Sequence, residues 1–189
     1  MALFHYQKLR SRTNNNRDLL AQLSDSRFYE GALWGAFTGL FGMAGNEIIV
    51  VSLLDSDQGV KTNALSEVEE IWQSTARPLS TDPCTVDGLY VFRRFHVQQD
   101  NVEEVVALSK EAWKTFEGSD AYAAQPRGLF RPQADDEGIV RLMLVTWYDG
   151  FQSWETSRRP APEATDNFRR RRDLTLTTYA VATRLVNPA

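Results

Sequence analysis

At 189 residues, 42% apolar and 24% charged with both signs mixed, the chain is long enough to bury about 70% of its unfolded surface. Its net charge of −4 argues against non-specific binding to nucleic acid or to anionic membranes. The single cysteine, Cys84, excludes an internal disulfide, and no stretch approaches the ~18 uninterrupted apolar residues of a membrane span, so a cytoplasmic protein without membrane insertion is expected.

Phe4 to Arg12 alternates apolar with polar residues and predicts a strand. Asn14-Asn15-Asn16 supplies cap chemistry for a helix over 17–29, whose Leu19, Leu20, Leu23 and Phe28 share a face and which Gly31 stops. A glycine-rich strand over 32–41, a turn at Gly45-Asn46 and a strand over 47–55 follow. Ser66-Glu67-Val68-Glu69 has the capping-box pattern, and Leu65, Val68, Ile71 and Trp72 recur at helical spacing, which predicts a helix. Gln58-Gly59 reads as loop, and residues 75–87 read as a connector with a short edge strand at 77–80.

The second half repeats this order. A strand over 89–97 leads to a helix opened by Asp100-Asn101, with Val102, Val105, Val106, Trp113 and Phe116 at helical spacing. Strands over 127–132 and 139–149 flank an acidic turn at 134–138. A helix begins at Phe151, is interrupted by Pro160 and Pro162, resumes over 163–173 and precedes a last strand over 175–186. The tripeptide Gly-Leu-Phe stands at 39–41 and again at 128–130, each time before a long apolar run. The fold class is therefore α+β: two tandem ferredoxin-like repeats, over 1–82 and 83–189, whose antiparallel sheets pack face to face as an intrachain α+β barrel. Such a chain is expected as a monomer or a homodimer.

Two segments carry a family resemblance. Gly35-Ala36-Phe37-Thr38 before Gly45-Asn46 and a strand, and Trp147-Tyr148-Asp149-Gly150 followed by Trp154 and Arg158, are similar to the motifs of the NIPSNAP proteins. The resemblance covers about residues 32–55 and 127–159. It implies membership of the dimeric α+β barrel superfamily, and a small-molecule-binding or interaction role. It also carries an alternative, because that superfamily includes cofactor-independent monooxygenases and heme-degrading enzymes. Asn46, Trp34, Trp113 and His96 are the residues available to position a substrate and oxygen. A non-catalytic assembly subunit is the third reading.

No metal motif is present: His5 and His96 lie on strands without a second ligand at metal-binding spacing. No cofactor is expected, with heme left as an open alternative. Gly39-x-x-Gly42-x-x-Gly45 opens no helix and so lacks the dipole that a phosphate would use. Cys84 reads as an inert linker residue, and Arg169 to Arg172 as a solvated helix face.

One constellation carries chemistry. Arg93 alternates with Val91, Phe95 and Val97, and Arg141 with Ile139, Met143 and Val145, on strands that neighbour each other in a ferredoxin-like sheet. Both guanidiniums are expected on the same apolar side. They would hold a carboxylate inside the barrel while Trp147, Tyr148 or Trp34 stacks on a flat aromatic body. The competing reading is an internal salt bridge to the chain's own carboxylates.

Overall fold

The computed structural model describes residues 2–23, 32–54, 65–133, 138–159 and 162–186. Eight strands form one antiparallel sheet that closes on itself in the order β1-β3-β2-β8-β5-β7-β6-β4. In chain order the elements are β1 (Leu3–Arg10), α1 (Arg17–Gln22), β2 (Ala32–Phe41), β3 (Glu47–Leu54), β4 (Ser66–Arg77) and β5 (Leu89–Gln98). There follow α2 (Val102–Phe116), β6 (Ala124–Pro132), β7 (Ile139–Tyr148), α3 (Phe151–Ser157), α4 (Pro162–Asp173) and β8 (Thr175–Val186). Each half has the ferredoxin-like order of fourth, first, third and second strand, β4-β1-β3-β2 and β8-β5-β7-β6. Pairing of β2 with β8 and of β4 with β6 joins the two sheets edge to edge. The expected intrachain α+β barrel is present as one hydrogen-bonded wall.

The pleat sends alternate side chains inward and outward, and the inward set fills the barrel. Phe4, Trp34, Phe37, Tyr90, Phe92 and Phe130 meet there, all at most 2% exposed. Their rings pack mostly edge to face, with centroids 5.1 Å apart for Phe4–Phe130 and 5.0 Å for Phe37–Phe92. Such pairs add about 0.5–1.5 kcal/mol each to the burial of their area. Two glycines make room for these rings: a Cβ at Gly35 would lie 2.6 Å from the Phe37 ring, and one at Gly128 would lie 2.2 Å from the Phe130 ring. Both sit at register shifts of their strands, opposite Val51 and Val145. The internal repeat is therefore Gly35-Ala36-Phe37 against Gly128-Leu129-Phe130. The Gly39-Leu40-Phe41 echo is displaced by four residues, and its Phe41 is 66% exposed.

The helix expected from Ser66 is instead β4. It pairs with β1 from Leu3↔Gln73 to Leu9↔Ser66, and Trp72 joins the barrel interior. The connector is correspondingly shorter, since β4 runs to Arg77. From it Cys84 enters the interior cluster, its N–H donating to the Trp34 carbonyl at 2.7 Å. Burial pushes the Cys84 thiol up to about 11, in keeping with an inert role. The helix of the first half is described over Arg17–Gln22; its expected continuation through Phe28 to Gly31 lies outside the described residues, as do the Gln58-Gly59 loop and residues 134–137 of the acidic turn. In the second half the interruption is where the prolines place it, with α3 ending at Ser157 and Pro162 opening α4. Among the described residues no helix is long and apolar enough to cross a membrane.

An ion cluster centred on Glu70 lies on the inner face. Glu70 of β4 accepts from Arg94 at 2.7 Å and from Arg141, and Trp72 Nε1–H donates to its Oε2 at 3.2 Å. The Arg94 guanidinium also lies 4.6 Å from the Tyr6 ring centroid. Glu70→Ala removes the shared anion from two inward guanidiniums and is expected to cost about 3–5 kcal/mol. Urea unfolding measures this, and a loss below about 1 kcal/mol would show that the cluster is not coupled.

Candidate functional site

A cavity of about 500 Å³ lies outside the barrel, between the outer face of the second sheet and helices α2, α3 and α4. Its floor comes from alternate residues of β5 and β7, including Phe95, Leu144 and Tyr148. Its walls come from Trp113 and Phe116 of α2 and Phe168 of α4. The buried stripe of α2 that sets this wall recurs at Val102, Val105, Ser109, Ala112, Trp113 and Phe116, as helical periodicity requires. Arg77 holds Trp113 from behind, its guanidinium 4.9 Å from the ring centroid and bound to Glu117 at 2.5 and 2.7 Å.

Five arginines line this cavity: Arg93 from β5, Arg158 from the end of α3 and Arg171 from α4 approach it from three elements, and the exposed Arg169 and Arg172 of α4 also border it. Among the described residues none of Arg93, Arg158 and Arg171 is paired with a carboxylate, and no Asp or Glu lines the cavity. Burial, then repulsion from Arg158, holds Arg93 below the usual guanidinium range. Arg171 is pulled down to about 10 by burial, then by Arg93 and Arg158. Its recorded partners are neutral: Nη1 donates to Ser109 Oγ at 3.3 Å, and the guanidinium lies 5.3 Å from the Phe168 ring.

The predicted pairing of Arg93 with Arg141 fails on strand register. Arg93 stands opposite Leu144, while Arg141 stands opposite His96, so the two point to opposite faces. Arg141 joins Arg94 and Glu70 inside the barrel, where the internal salt bridge holds. Arg93 and Tyr148 belong to the outer cavity. Trp34 and Trp147 border a second cavity of about 490 Å³ at the barrel mouth, and Trp147 Nε1–H donates to the Asp87 carbonyl at 2.9 Å. His96 lies on the inner face with Arg141. Asn46 is a structural clamp whose Nδ2 donates to the carbonyls of Ser11 and Thr13, both at 3.0 Å. Arg158, Arg171 and Phe168 had no place among the expected site residues. The Arg169–Arg172 run looked uniformly solvated, yet Phe168 and Arg171 are three residues apart on α4 and share the cavity-facing side.

The duplication shows what is particular to this cavity. Tyr6 stands opposite Val51 as Phe92 stands opposite Val145, and each valine faces a bulge glycine on its other side. One residue further along, Gln7 occupies in the first half the place of Arg93. Gln7 is buried, and its Nε2 donates to Glu69 at 2.7 Å and to Ser66 at 3.2 Å. One half carries an amide that donates to a carboxylate and a hydroxyl, where the other carries a guanidinium with no carboxylate partner among the described residues.

No family model and no curated protein matches the chain. Solved structures do. A provisionally assigned monooxygenase from Lactobacillus acidophilus superposes with a TM-score of 0.62 at 9% identity, covering 100% of this chain and 94% of that one. An anthrone oxidase-like protein matches with a TM-score of 0.62 at 13% identity over 98% and 92% of the two chains. A heme-degrading enzyme from Listeria monocytogenes matches with a TM-score of 0.51 at 10% identity over 96% and 98%. The fold is that of the ferredoxin-like α+β barrels. At these identities the likeness establishes architecture alone.

The cavity does not fit a heme. Iron ligation draws on His, Cys, Met or Tyr side chains; no imidazole, thiol or thioether lines it, and its one phenol, Tyr148, stands among the arginines. No step is derived through that group.

Mutually repelling cations with no carboxylate partner among the described residues are a cost to the ligand-free fold. Arg93→Gln, which copies Gln7, is therefore expected to raise Tm by about 2–4 °C, on the order of 1 kcal/mol. Thermal unfolding without ligand checks this, and a fall in Tm would show that the guanidinium is stabilised by a partner.

Proposed function

We propose that this protein binds a flat aromatic molecule bearing an anionic group in the cavity between the second sheet and helices α2 to α4. One observation carries the reading: Arg93, Arg158 and Arg171 reach an aromatic-walled space of about 500 Å³ without a carboxylate partner among the described residues. That volume is in the range of small-molecule sites, roughly 300–1,000 Å³. A guanidinium offers a planar fork of donors that binds a carboxylate through two hydrogen bonds. Trp113, Phe116 and Phe168 supply apolar faces for the body of the ligand. The second segment of the NIPSNAP resemblance falls on this site through Tyr148 and Arg158, which supports a NIPSNAP-like binding role.

Oxygenation of the bound anion is the second reading. The provisional monooxygenase and the anthrone oxidase-like protein share the fold. A cation cluster would favour an electron-rich anionic form of the substrate, which would then supply the electrons that reduce dioxygen. Oxygen uptake with a polyphenol, lost in Arg93→Gln and Arg171→Gln, distinguishes catalysis from binding alone.

Titration with 2-naphthoate tests the binding reading. The wild-type protein is expected to gain thermal stability. Arg93→Gln, Arg158→Gln and Arg171→Gln should each weaken the apparent Kd by roughly 10–100-fold, the worth of a charge-assisted hydrogen bond. Arg141→Gln, inside the barrel, should keep the response. Equal responses in all variants, or none in the wild type, would overturn the assignment.

A further inference from the structure

The charge of the cavity says more about its ligand than its size does. We infer that the natural ligand is a dianion, an aromatic body carrying two negative charges as a dicarboxylate or as a phosphomonoester. This rests on the reading of the cavity as a ligand site. Arg93, Arg158 and Arg171 reach it from the β5 floor, the end of α3 and the last turn of α4, so these three guanidiniums approach from separate directions. No carboxylate of the described cavity lining offsets them.

A monoanion engages one guanidinium through a bidentate contact, or bridges two, and leaves a net charge of +2 on Arg93, Arg158 and Arg171 alone. A dianion leaves +1 and offers enough acceptor oxygens for all three forks. The negative end of the α4 dipole lies near Arg171 and offsets part of the remainder, equivalent to about half a charge. Arg169 and Arg172 also line the cavity, and neither is an acid that would relieve the positive field. Overall basicity does not account for the cluster, because the whole chain has a net charge of −4. Nor does the fold require it, since the same position of the other half is served by Gln7 with neutral and acidic partners. The positive charge is specific to this cavity, and its quantity selects the charge of the partner.

The test is a calorimetric titration of the full chain at about 0.15 M salt with four probes sharing one ring system: 2-naphthamide, 2-naphthoate, naphthalene-2,6-dicarboxylate and 2-naphthyl phosphate. At least one dianion is expected to bind ten times or more tightly than 2-naphthoate, with one molecule per chain, and the amide is expected to be weakest. Tighter binding of the dicarboxylate points to two separated acids; tighter binding of the phosphate, to one compact dianionic group. In Arg171→Gln the advantage of the preferred dianion over 2-naphthoate should shrink toward unity. If 2-naphthoate binds as tightly as both dianions, the dianion inference falls while the cavity reading stands. If no anionic probe binds better than the amide, both fall.

Discussion

Arg93 and Arg94 are neighbours in the chain and face opposite sides of the same strand. That alternation is the constraint on which the rest of the molecule turns. The inward member, Arg94, meets Glu70 at 2.7 Å within an aromatic interior. The outward member, Arg93, meets Arg158 and Arg171 across a cavity with no facing carboxylate among the described residues. One guanidinium belongs to the fold; the other belongs to the proposed site. A filled barrel makes this division necessary, because Phe4, Trp34, Phe37 and Phe130 occupy the space in which a ligand would otherwise lie.

The duplicated architecture turns this into a comparison within one chain. Both halves place a bulge glycine beneath an inward phenylalanine, at Gly35 and Phe37 and at Gly128 and Phe130. Those features build the wall and occur twice. Arg93 and its counterpart Gln7 differ, and the difference lies on the outer face, where a substitution does not disturb the interior. Wall residues repeat because closure requires them, whereas charge on the outer face was free to diverge.

Most of the architecture was legible in the sequence because long alternating or apolar runs report strands directly. Three features were not. The stretch Ser66 to Trp72 imitates an amphipathic helix because an inward position, Glu70, is charged; that charge answers Arg94 and Arg141, which are distant in sequence. The face shared by Arg93 and its cross-strand neighbours depends on the register between β5 and β7, and a shift of one residue reverses every side chain. Arg171 lies within a run of four arginines whose composition reads as solvent-facing, and the packing of α4 over the sheet makes it differ from Arg170, which bonds Glu104 at 2.7 Å. In each case the missing information was a long-range partner. Arg93 and Tyr148 were found because their apolar neighbours on alternating strands marked them as unusual or as aromatic anchors.

The central claim is that the ligand site lies on the outer face of the second sheet and not in the barrel. Arginine side-chain NMR, following the Nε–H resonances during a titration with naphthalene-2,6-dicarboxylate, tests it most directly. The account predicts that Arg93, Arg158 and Arg171 shift together and saturably, while Arg94 and Arg141 stay in place. Shifts confined to Arg94 and Arg141, with Arg93 and Arg171 unmoved, would place the ligand at the interior pair and contradict it.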